Sequence, residues 1–366
     1  MAVSRIDEAG LNVNQYGNRN VIGNSAMRIA QRGTSTTGIT GSDYQALDRF
    51  RTSIGNGGTW TMSQASVTDL VGFANSLKMD VTTAKSSPDA NSSCRIQTKI
   101  EGQDLQHFKK GTASAEQYTL SFYVKSTTTG TYIVEFFDGD NTRHVGKSYT
   151  IDAADTWEYK TITMPADTTG AFDRDANGSL IVSWYLMAGS DLTSGTLRET
   201  WGGSSNTERA GGQVNLAAST SNDWQITGVQ LEAGDTATPF EYIPFADDLA
   251  RCQRYYYRIS CDGSHDGVYT IGNAFTTDDA LCAVPFPVAM RAEPTLGFQT
   301  GASGHKIRTG SGSSQQTSAL IISAFDNTNF TNVSLTGTTT TANLTSGHAA
   351  QFRVSPDDFI DFDAEL

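Results

Sequence analysis

Charged residues, prolines and long apolar runs are scarce in this chain. Only 18% of its 366 residues are charged, against roughly 25% in average soluble proteins, and 8 prolines accompany 35 glycines. No run of 18 apolar residues occurs, which predicts that nothing spans or inserts into a membrane. The start, MAVSRIDEAG, lacks the apolar core of a secretory signal, so we expect a protein that is made in a cytoplasm.

Cysteine is also rare. The four cysteines, Cys94, Cys252, Cys261 and Cys282, are too few and too scattered for a disulfide framework, so we expect reduced, buried thiols. A zinc site made of the last three with His265 would have irregular spacing and no paired-cysteine knuckle. The sequence therefore favours no zinc site.

The charge balance is acidic. A net charge of −13 argues against nucleic acid as a partner, because its phosphates would repel the chain. Residues 1–60 differ from the rest, since they hold six arginines, no lysine and four acids. Arginine suits forked pairing at interfaces better than lysine does. A basic start on an acidic body indicates docking through that end.

Alternating apolar residues dominate from about Tyr118 onward. Strand-like segments such as YTLSFYVKS, TYIVEFF, WEYKTITM and LIVSWYLM are separated by turns rich in Gly, Asp and Asn, with no helical pattern between them. This pattern predicts an all-β fold, namely a jelly-roll β-sandwich over residues 41–245. In WQITGVQLE the apolar phase reverses at Thr227 and Gly228, which predicts a β-bulge in the last strand of the sandwich.

The segments on either side have a different character. Residues 1–40 show no sustained period and are rich in Asn, Gly and Thr, so we expect an irregular arm that attaches the protein to a partner, with a frayed terminus as the alternative. After Pro239 and Pro244, DDLARCQRY predicts a short helix from Asp247 to about Arg254 within a neck over residues 246–258. Residues 259–366 predict a smaller β domain, with loops over 309–318 and 336–347.

No catalytic template is present in the sequence. The five histidines are solitary, and the chain has no nucleophile-elbow, P-loop or dinucleotide-binding motif. Pairs of acids such as Asp138 with Asp140 occur in turns, where acids are common without catalysis. We therefore expect a protein that is not an enzyme and that needs no cofactor.

One loop offers a candidate calcium site. FDRDANGSL places Asp173, Asp175 and Asn177 at alternating positions, as in the first half of a calcium-binding loop. The twelfth position, which usually supplies a bidentate glutamate, is Trp184. An ordinary hairpin turn explains the same residues, and the sequence leaves both interpretations open.

Aromatic residues are the candidates for ligand binding. Tyr123, Tyr132, Tyr185 and Trp201 could stack on sugar rings, although aromatic residues in strands more often pack in the core. Trp201 lies in ETWGGSSN, which reads as an exposed loop. We name Trp201, Tyr185 and Tyr123 as the candidate glycan-binding residues.

Several segments resemble phage tail-fibre and related virion proteins. These are GNSAMRIAQRGTS, YQALDRFR, MAGSDLTSGTLRETWG, GVQLEAGDTATPFEYIPFADDLARCQRYYYR, PFPVAMRAEPTL and the terminal FDAEL. The resemblance implies a non-enzymatic, trimeric fibre subunit, assembled in a bacterial cytoplasm, with a carbohydrate-module-like jelly roll. It also implies that the N-terminal end binds tail or adaptor proteins and that the C-terminal domain faces a host surface glycan. Alternatives are a head-attached fibre or decoration protein and a stand-alone glycan-binding module, and a depolymerase is disfavoured.

The neck is the candidate trimer contact. Leu249, Cys252 and Tyr256 form an apolar stripe at helical spacing. A helix of about two turns is not stable alone in water, so this stripe must pack on something. The flanking β domains of the same chain and the symmetry-related stripes of a homotrimer are the two alternatives, and the resemblance favours the trimer.

Overall fold

The computed structural model describes residues 17–261, 264–298, 302–310, 315–325 and 330–366. Within these ranges almost all regular structure is β-strand, so the all-β prediction is confirmed. The chain divides into two compact units, one reaching to Asp248 with Leu366 added, and the other covering Leu249–Glu365. None of the helices in the described ranges has the length and apolar character needed to cross a membrane.

The first unit is a β-sandwich. Its strands are β1 (Ser35–Ile39), β2 (Arg51–Gly55), β3 (Thr59–Ser66), β4 (Asn75–Thr83), β5 (Ser93–Glu101), β6 (Tyr118–Ser126), β7 (Gly130–Asp138), β8 (Arg143–Ile151), β9 (Glu158–Met164), β10 (Gly178–Ala188), β11 (Gly202–Gly203) and β12 (Asp223–Ala233), with a one-turn helix α1 (Ser190–Thr193) after β10. They form two six-stranded antiparallel sheets in the orders β1-β3-β4-β12-β6-β9 and β11-β8-β7-β10-β5-β2.

One core lies between the two sheets. The first sheet contributes Trp60, Phe122 and Trp224, the second contributes Phe136 and Trp184, and all five are fully buried. Inward apolar residues alternate with outward ones along these strands, but on the second sheet the outward residues Ile133 and Tyr185 are buried in a small separate cluster with Ala210. The chain crosses between the sheets repeatedly, for example from β4 to β5 and from β5 to β6, as in a jelly roll.

The predicted bulge interrupts β12. The register between β12 and β6 shifts between Thr227 and Gln230, and Gly228 has a φ of 60°, in the left-handed region. Before the bulge, β12 pairs with β4; after it, the backbone bonds to the N-terminal segment instead. There the Val21 N–H donates to the Leu231 carbonyl at 3.2 Å. The prediction of a β-bulge is confirmed.

The N-terminal segment corrects another expectation. Of the forty residues expected to form an arm, residues 17–40 are described, and they belong to the sandwich. Ile22, Met27 and Ile29 are buried in its core or beneath it, and β1 forms an edge of the first sheet. These apolar residues fill a gap beside the bulge. Their spacing is irregular, so neither a strand nor a helix periodicity in the sequence predicts that they are buried. Residues 1–16 lie outside the described part of the chain.

The stretch after β12 also packs on the sandwich rather than hanging free. The Glu232 carboxylate accepts hydrogen bonds from the Thr238 N–H at 2.9 Å and from the Thr238 hydroxyl at 2.8 Å. The Glu241 carboxylate accepts from the N–H groups of Asn18 at 2.7 Å and Asn20 at 3.0 Å. The prolines of this stretch therefore shape a segment that is fixed by buried and half-buried carboxylates.

The second unit contains nine further strands. They are β13 (Tyr256–Ser260), β14 (Gly267–Ala274), β15 (Asp279–Pro285), β16 (Thr295–Phe298), β17 (His305–Thr309), β18 (Gln315–Phe325), β19 (Asn332–Thr339), β20 (Ala349–Val354) and β21 (Phe359–Asp363). Six of them close into a barrel in the order β14-β15-β19-β18-β17-β20, and β13-β21-β16 form a small sheet. The predicted smaller β domain is confirmed, although residues 315–318 and 336–339, expected in loops, belong to β18 and β19.

The helix of the neck, α2, spans Phe245–Gln253, two residues earlier than predicted. Asp248 in its first turn is buried and accepts a hydrogen bond from the Asn24 N–H at 3.0 Å. Of the proposed trimer stripe, Leu249 is half-buried, whereas Cys252 and Tyr256 are buried within the single chain. The Tyr256 hydroxyl donates to Asp361 at 2.6 Å. The structure thus favours the alternative in which the stripe packs within its own chain.

The side chain of Asn20 generates a test of the N-terminal segment. Its Oδ1 accepts from the N–H groups of Ile22 and Leu231 at 3.0 and 3.1 Å, and its Nδ2 donates to the Val229 carbonyl at 2.9 Å. Asn20→Ala should lower the free energy of unfolding by roughly 2–4 kcal/mol, because it leaves buried backbone groups without partners. Urea denaturation followed by tryptophan fluorescence reports this unit, since all five tryptophans precede Asp248. Asn206→Ala, at an exposed position, is the control. An unchanged midpoint for Asn20→Ala would restore the arm interpretation.

Candidate functional site

Aromatic side chains gather on the outer face of the first sheet, opposite the core. The strands β6 and β9 supply Tyr123 and Tyr159, which are direct cross-strand partners. The loop between β3 and β4 and the stretch after β12 lie against the same face. We call the aromatic surface the set of Phe73, Tyr123, Trp157, Tyr159, Phe240 and Tyr242.

Five rings of the aromatic surface, those of Phe73, Tyr123, Tyr159, Phe240 and Tyr242, contact one another in a continuous cluster. Phe73 lies at its centre, with ring centroids 5.3 Å from Tyr123, 5.1 Å from Phe240 and 5.8 Å from Tyr242. The Tyr123 ring is in turn 5.0 Å from that of Tyr159. These pairs are tilted, edge-to-face or, for Phe73 with Tyr242, stacked, and such aromatic pairs stabilise each other beyond simple burial. The cluster therefore fixes ring positions in the absence of a ligand.

Burial is graded across the cluster. Phe73 is 8% exposed, whereas Tyr159 is 48% and Tyr242 is 61% exposed. The exposure of Tyr123 lies between these extremes. Its phenol has a raised pKa, mainly because of burial and to a smaller extent because of the negative charge that Tyr159 and Tyr242 would carry. The buried Phe73 ring and the half-buried Tyr123 ring thus support two exposed phenols, whose hydroxyl groups can donate and accept hydrogen bonds.

Two glycines allow the rings to approach the backbone. A Cβ on Gly228, at the bulge, would lie 2.7 Å from the Phe73 ring and 3.1 Å from the Tyr123 ring. A Cβ on Gly72 would lie 2.5 Å from the Tyr242 hydroxyl oxygen. Both glycines have a positive φ, which other residues rarely adopt. The bulge and the loop are therefore built around these aromatic side chains.

Trp157 is held in place at one end of the surface. Its indole N–H donates to Asp69 at 2.8 Å, and the ammonium of Lys125 lies 5.0 Å from its ring centroid. Lys125 also donates to Asp69 at 2.9 Å. The hydrogen bonds from Lys125 and Trp157 hold the pKa of Asp69 below its ordinary value, so this half-exposed carboxylate stays charged. Trp157 is thereby oriented by a charge-assisted hydrogen bond and a cation–π contact.

The lysines on the outward side of β4 and β6 are both paired with acids. Lys78 contacts Asp80 at 2.7 Å and Asp223 at 3.4 Å, and Lys125 contacts Asp69. Burial alone would lower the pKa of Lys78, but the hydrogen bond with Asp80 and the charge of Asp223 outweigh it and raise the pKa. The face near the rings therefore offers ion pairs in which the cations are already neutralised.

Of the three residues named from the sequence as glycan-binding, only Tyr123 lies in the aromatic surface. Tyr185 is fully buried on the other sheet, where its hydroxyl donates to Glu135 at 3.2 Å. Burial and the charge of Glu135 raise the pKa of Tyr185 to about 12. Glu135 also forms an ion pair with Arg209 at 2.5 Å. Tyr185 therefore belongs to a buried polar network, and its assignment to a glycan site is wrong.

Trp201 also has a structural position. Its indole N–H donates to the Pro165 carbonyl at 2.8 Å, and its ring packs against the sandwich core. The ammonium of Lys110 lies 5.2 Å from the centroid of the Trp201 ring. Lys110 is buried and pairs with Asp138 at 2.5 Å and Asp167 at 3.1 Å. Trp201 thus covers a buried ion-pair cluster, and the expectation of an exposed platform is wrong.

The candidate calcium loop adopts a turn. Both carboxylate oxygens of Asp175 accept hydrogen bonds from Asn177, one from the backbone N–H at 2.9 Å and one from the side-chain amide at 2.6 Å. The Asp173 N–H donates to Asp140 at 2.9 Å. In the described ranges no group of three or more His, Cys, Asp or Glu side chains is arranged to hold a metal ion. The geometry is that of an ordinary turn, although this turn connects β9 and β10 of different sheets and is therefore not the expected hairpin.

The sequence around β9 contains a signal for Trp157 and Tyr159, two residues of the aromatic surface that were not named from the sequence as glycan-binding. In WEYKTITM, Trp157 and Tyr159 alternate in phase with Thr161 and Thr163, and out of phase with the core residues Ile162 and Met164. That phase places both aromatic residues on the outer face. Phe73 and Tyr242 carry no such signal, because they reach the surface from irregular segments.

Comparisons with known proteins give structural likenesses only. No protein-family model and no curated protein matches the chain. The enzymatically active domain of tailspike protein 4 from bacteriophage CBA120 is 13% identical with a TM-score of 0.29, over 58% of this chain and 21% of that one. A CBM4 structure is 14% identical with a TM-score of 0.29, over 58% of this chain and 99% of that one. The family 11 carbohydrate-binding module of a cellulosomal cellulase of Clostridium thermocellum is 13% identical with a TM-score of 0.27, over 55% and 99%.

The support beneath the aromatic surface can be tested at Gly228. Gly228→Ala should lower the free energy of unfolding by about 1–3 kcal/mol and change the near-ultraviolet circular dichroism, because the methyl group displaces the Phe73 and Tyr123 rings. Gly41→Ala is the matched control, since a Cβ there meets nothing within 4 Å and its φ is not positive. Equal stabilities of the two variants would show that the bulge does not support the rings.

Proposed function

We propose that this chain is a non-enzymatic structural protein of a phage particle that binds carbohydrate through the aromatic surface. The observation that carries the proposal is the exposure of Tyr159 and Tyr242 on a base of buried rings. Large exposed aromatic groups are costly in water and usually mark a binding site. The flat rings match the apolar C–H faces of sugars, and the phenol hydroxyls reach the polar edges.

The charges of the surface favour neutral sugars. Lys78 and Lys125 are neutralised by Asp80, Asp223 and Asp69, so neither is free to bind a carboxylate or sulfate group. The Asp69 side chain is 52% exposed and can accept a hydrogen bond from a sugar hydroxyl while it orients Trp157. An anionic polysaccharide would be repelled by the half-exposed Asp69 carboxylate, and the nearby cations of Lys78 and Lys125 are already paired with acids, so its affinity should be lower.

The assignment to a phage particle rests on the resemblance of the sequence segments to tail-fibre proteins. A tail fibre that touches a host glycan is the leading form of the proposal, and a head-attached fibre is the alternative. In either form the protein is located in the virion, is trimeric and meets tail or adaptor proteins at its N-terminal end. The integration of residues 17–40 into the sandwich limits any such attachment arm to the residues before them.

Sugar binding should depend on the exposed rings. Tyr159→Ala and Tyr242→Ala should each weaken binding of neutral oligosaccharides at least tenfold, because each removes one stacking surface. A glycan array of neutral and anionic oligosaccharides identifies the ligand, and titration calorimetry compares the variants. Phe245→Ala is the matched control, since Phe245 is 54% exposed but lies outside the aromatic surface.

Two outcomes would contradict this assignment. Equal losses for Phe245→Ala and the two tyrosine variants would mean that the effect is general rather than local. Binding confined to anionic oligosaccharides would show that the charge argument fails. Release of reducing ends from a bound polysaccharide would establish an enzyme and overturn the non-enzymatic part of the proposal.

The virion assignment has a separate test. An antibody against this chain, used with gold labelling in electron microscopy, should mark fibres on phage particles from cells that express the gene. Label on tail fibres supports the leading form, and label on capsids supports the head-attached alternative. Sugar binding without label on any particle would indicate the stand-alone module.

A further inference from the structure

A second exposed apolar region lies on the outside of the C-terminal barrel. Its members are large side chains that are at least one-third exposed, namely Val268, Ile271, Phe275, Leu281 and Ile321. They are aliphatic apart from Phe275, so they lack the polar edges and the ring cluster of the aromatic surface. Exposed aliphatic groups gathered on one domain indicate contact with another protein surface.

Three of these side chains, Ile271, Leu281 and Ile321, lie close together on one face across adjacent strands. Leu281 on β15 pairs directly with Thr336 on β19, and Thr336 pairs directly with Ile321 on β18. On the other side Leu281 pairs with Asn273 of β14, and Ile271 lies two positions earlier on that strand. Directly opposite residues share a side of the sheet and contact one another. We call this region of β14, β15, β19 and β18 the barrel face.

The barrel face is almost free of charge. The strands β14, β18 and β19 contain no charged residue, and β15 contains only Asp279. The Asp279 carboxylate accepts a hydrogen bond from the Thr338 hydroxyl at 2.6 Å. The remaining barrel strands carry the charges, with Lys306 and Arg308 on β17 and Arg353 on β20. Apart from Asp279, the charges of the barrel strands thus lie on β17 and β20, and of the exposed apolar residues Val268 lies directly opposite one of them, Arg353.

Closure of the barrel determines how this face can bind. Its six strands leave no free edge, so another chain cannot extend the sheet through backbone hydrogen bonds. Contact must be made through the outward side chains, that is, through isoleucine, leucine and the small hydroxyl residues between them. Such a surface suits a partner surface that is also uncharged and nearly flat.

We propose that the barrel face is the surface through which copies of this chain associate. A chain with a net charge of −13 repels its own copies, and this repulsion is smallest where neutral surfaces meet. The face is neutral and apolar, so it is complementary to itself. The inference does not depend on sugar binding, and it moves the expected self-contact from the neck, where Cys252 and Tyr256 are buried within one chain, to the barrel.

The test is the mass of the full-length chain in solution. Sedimentation velocity and light scattering should show an oligomer that dissociates on dilution, and the mass gives the number of copies. The double variant Ile271→Asp with Ile321→Asp should raise the dissociation constant more than tenfold, because contact would bury unpaired carboxylates. Adding sodium chloride should strengthen association of the parent chain, because it screens the repulsion between acidic copies.

Val71→Asp is the matched control, since Val71 is fully exposed and lies on the sandwich. It should leave the dissociation constant unchanged. Leu281→Asp, on a third strand of the face, gives a second variant, and circular dichroism confirms that each variant is folded. A single-chain mass at every concentration would overturn the proposal. So would an oligomer that the barrel variants and Val71→Asp leave equally intact.

Discussion

The bulge at Gly228 is the constraint on which the first unit depends. Before it, β12 lies between β4 and β6 as an ordinary central strand; after it, the β4 side of β12 bonds to the N-terminal segment around Val21. The same bulge removes a side chain from the outer face, and the Phe73 and Tyr123 rings occupy that space. One backbone irregularity thus joins the N-terminal segment to the sandwich and provides the floor of the aromatic surface, in agreement with the tendency of bulges to lie beside functional sites.

The two sheets use polar and aromatic residues differently. On the second sheet, Tyr185 and Glu135 are buried, with Glu135 paired to the half-buried Arg209, and near the edge of the sheet Trp201 covers the ammonium of Lys110. Buried charges of this kind are costly unless they are paired, and removal of one partner leaves the other uncompensated. These networks fix the loops around the sandwich. The outer face of the first sheet instead leaves Tyr159 and Tyr242 exposed, and this difference in burial distinguishes the proposed binding surface from the aromatic residues that pack within the structure.

The exposed apolar residues of the two units differ in chemistry, which suggests that the two units contact different kinds of partner. Phenols and an oriented indole suit a ligand with apolar faces and many hydroxyl groups, whereas the aliphatic side chains of the barrel face suit a protein surface. Association through the barrel would present several aromatic surfaces on one assembly. Weak single contacts with sugar would then act together, because binding of one site raises the effective concentration of the others.

The sequence by itself determined the all-β class, the sandwich strands, the smaller second domain and the bulge, because alternation and its reversal at Gly228 are local properties of the chain. It also contained, in the phase of Trp157 and Tyr159, a local sign of the outer face. Only the tertiary structure decided that Tyr185 is buried and Trp201 partly buried, that Phe73 and Tyr242 join one cluster, and that residues 17–40 belong to the sandwich. The physical reason is that these positions depend on contacts between segments far apart in the chain. When a distant segment covers a residue, the sequence around that residue shows no strand or helix periodicity that would reveal the burial.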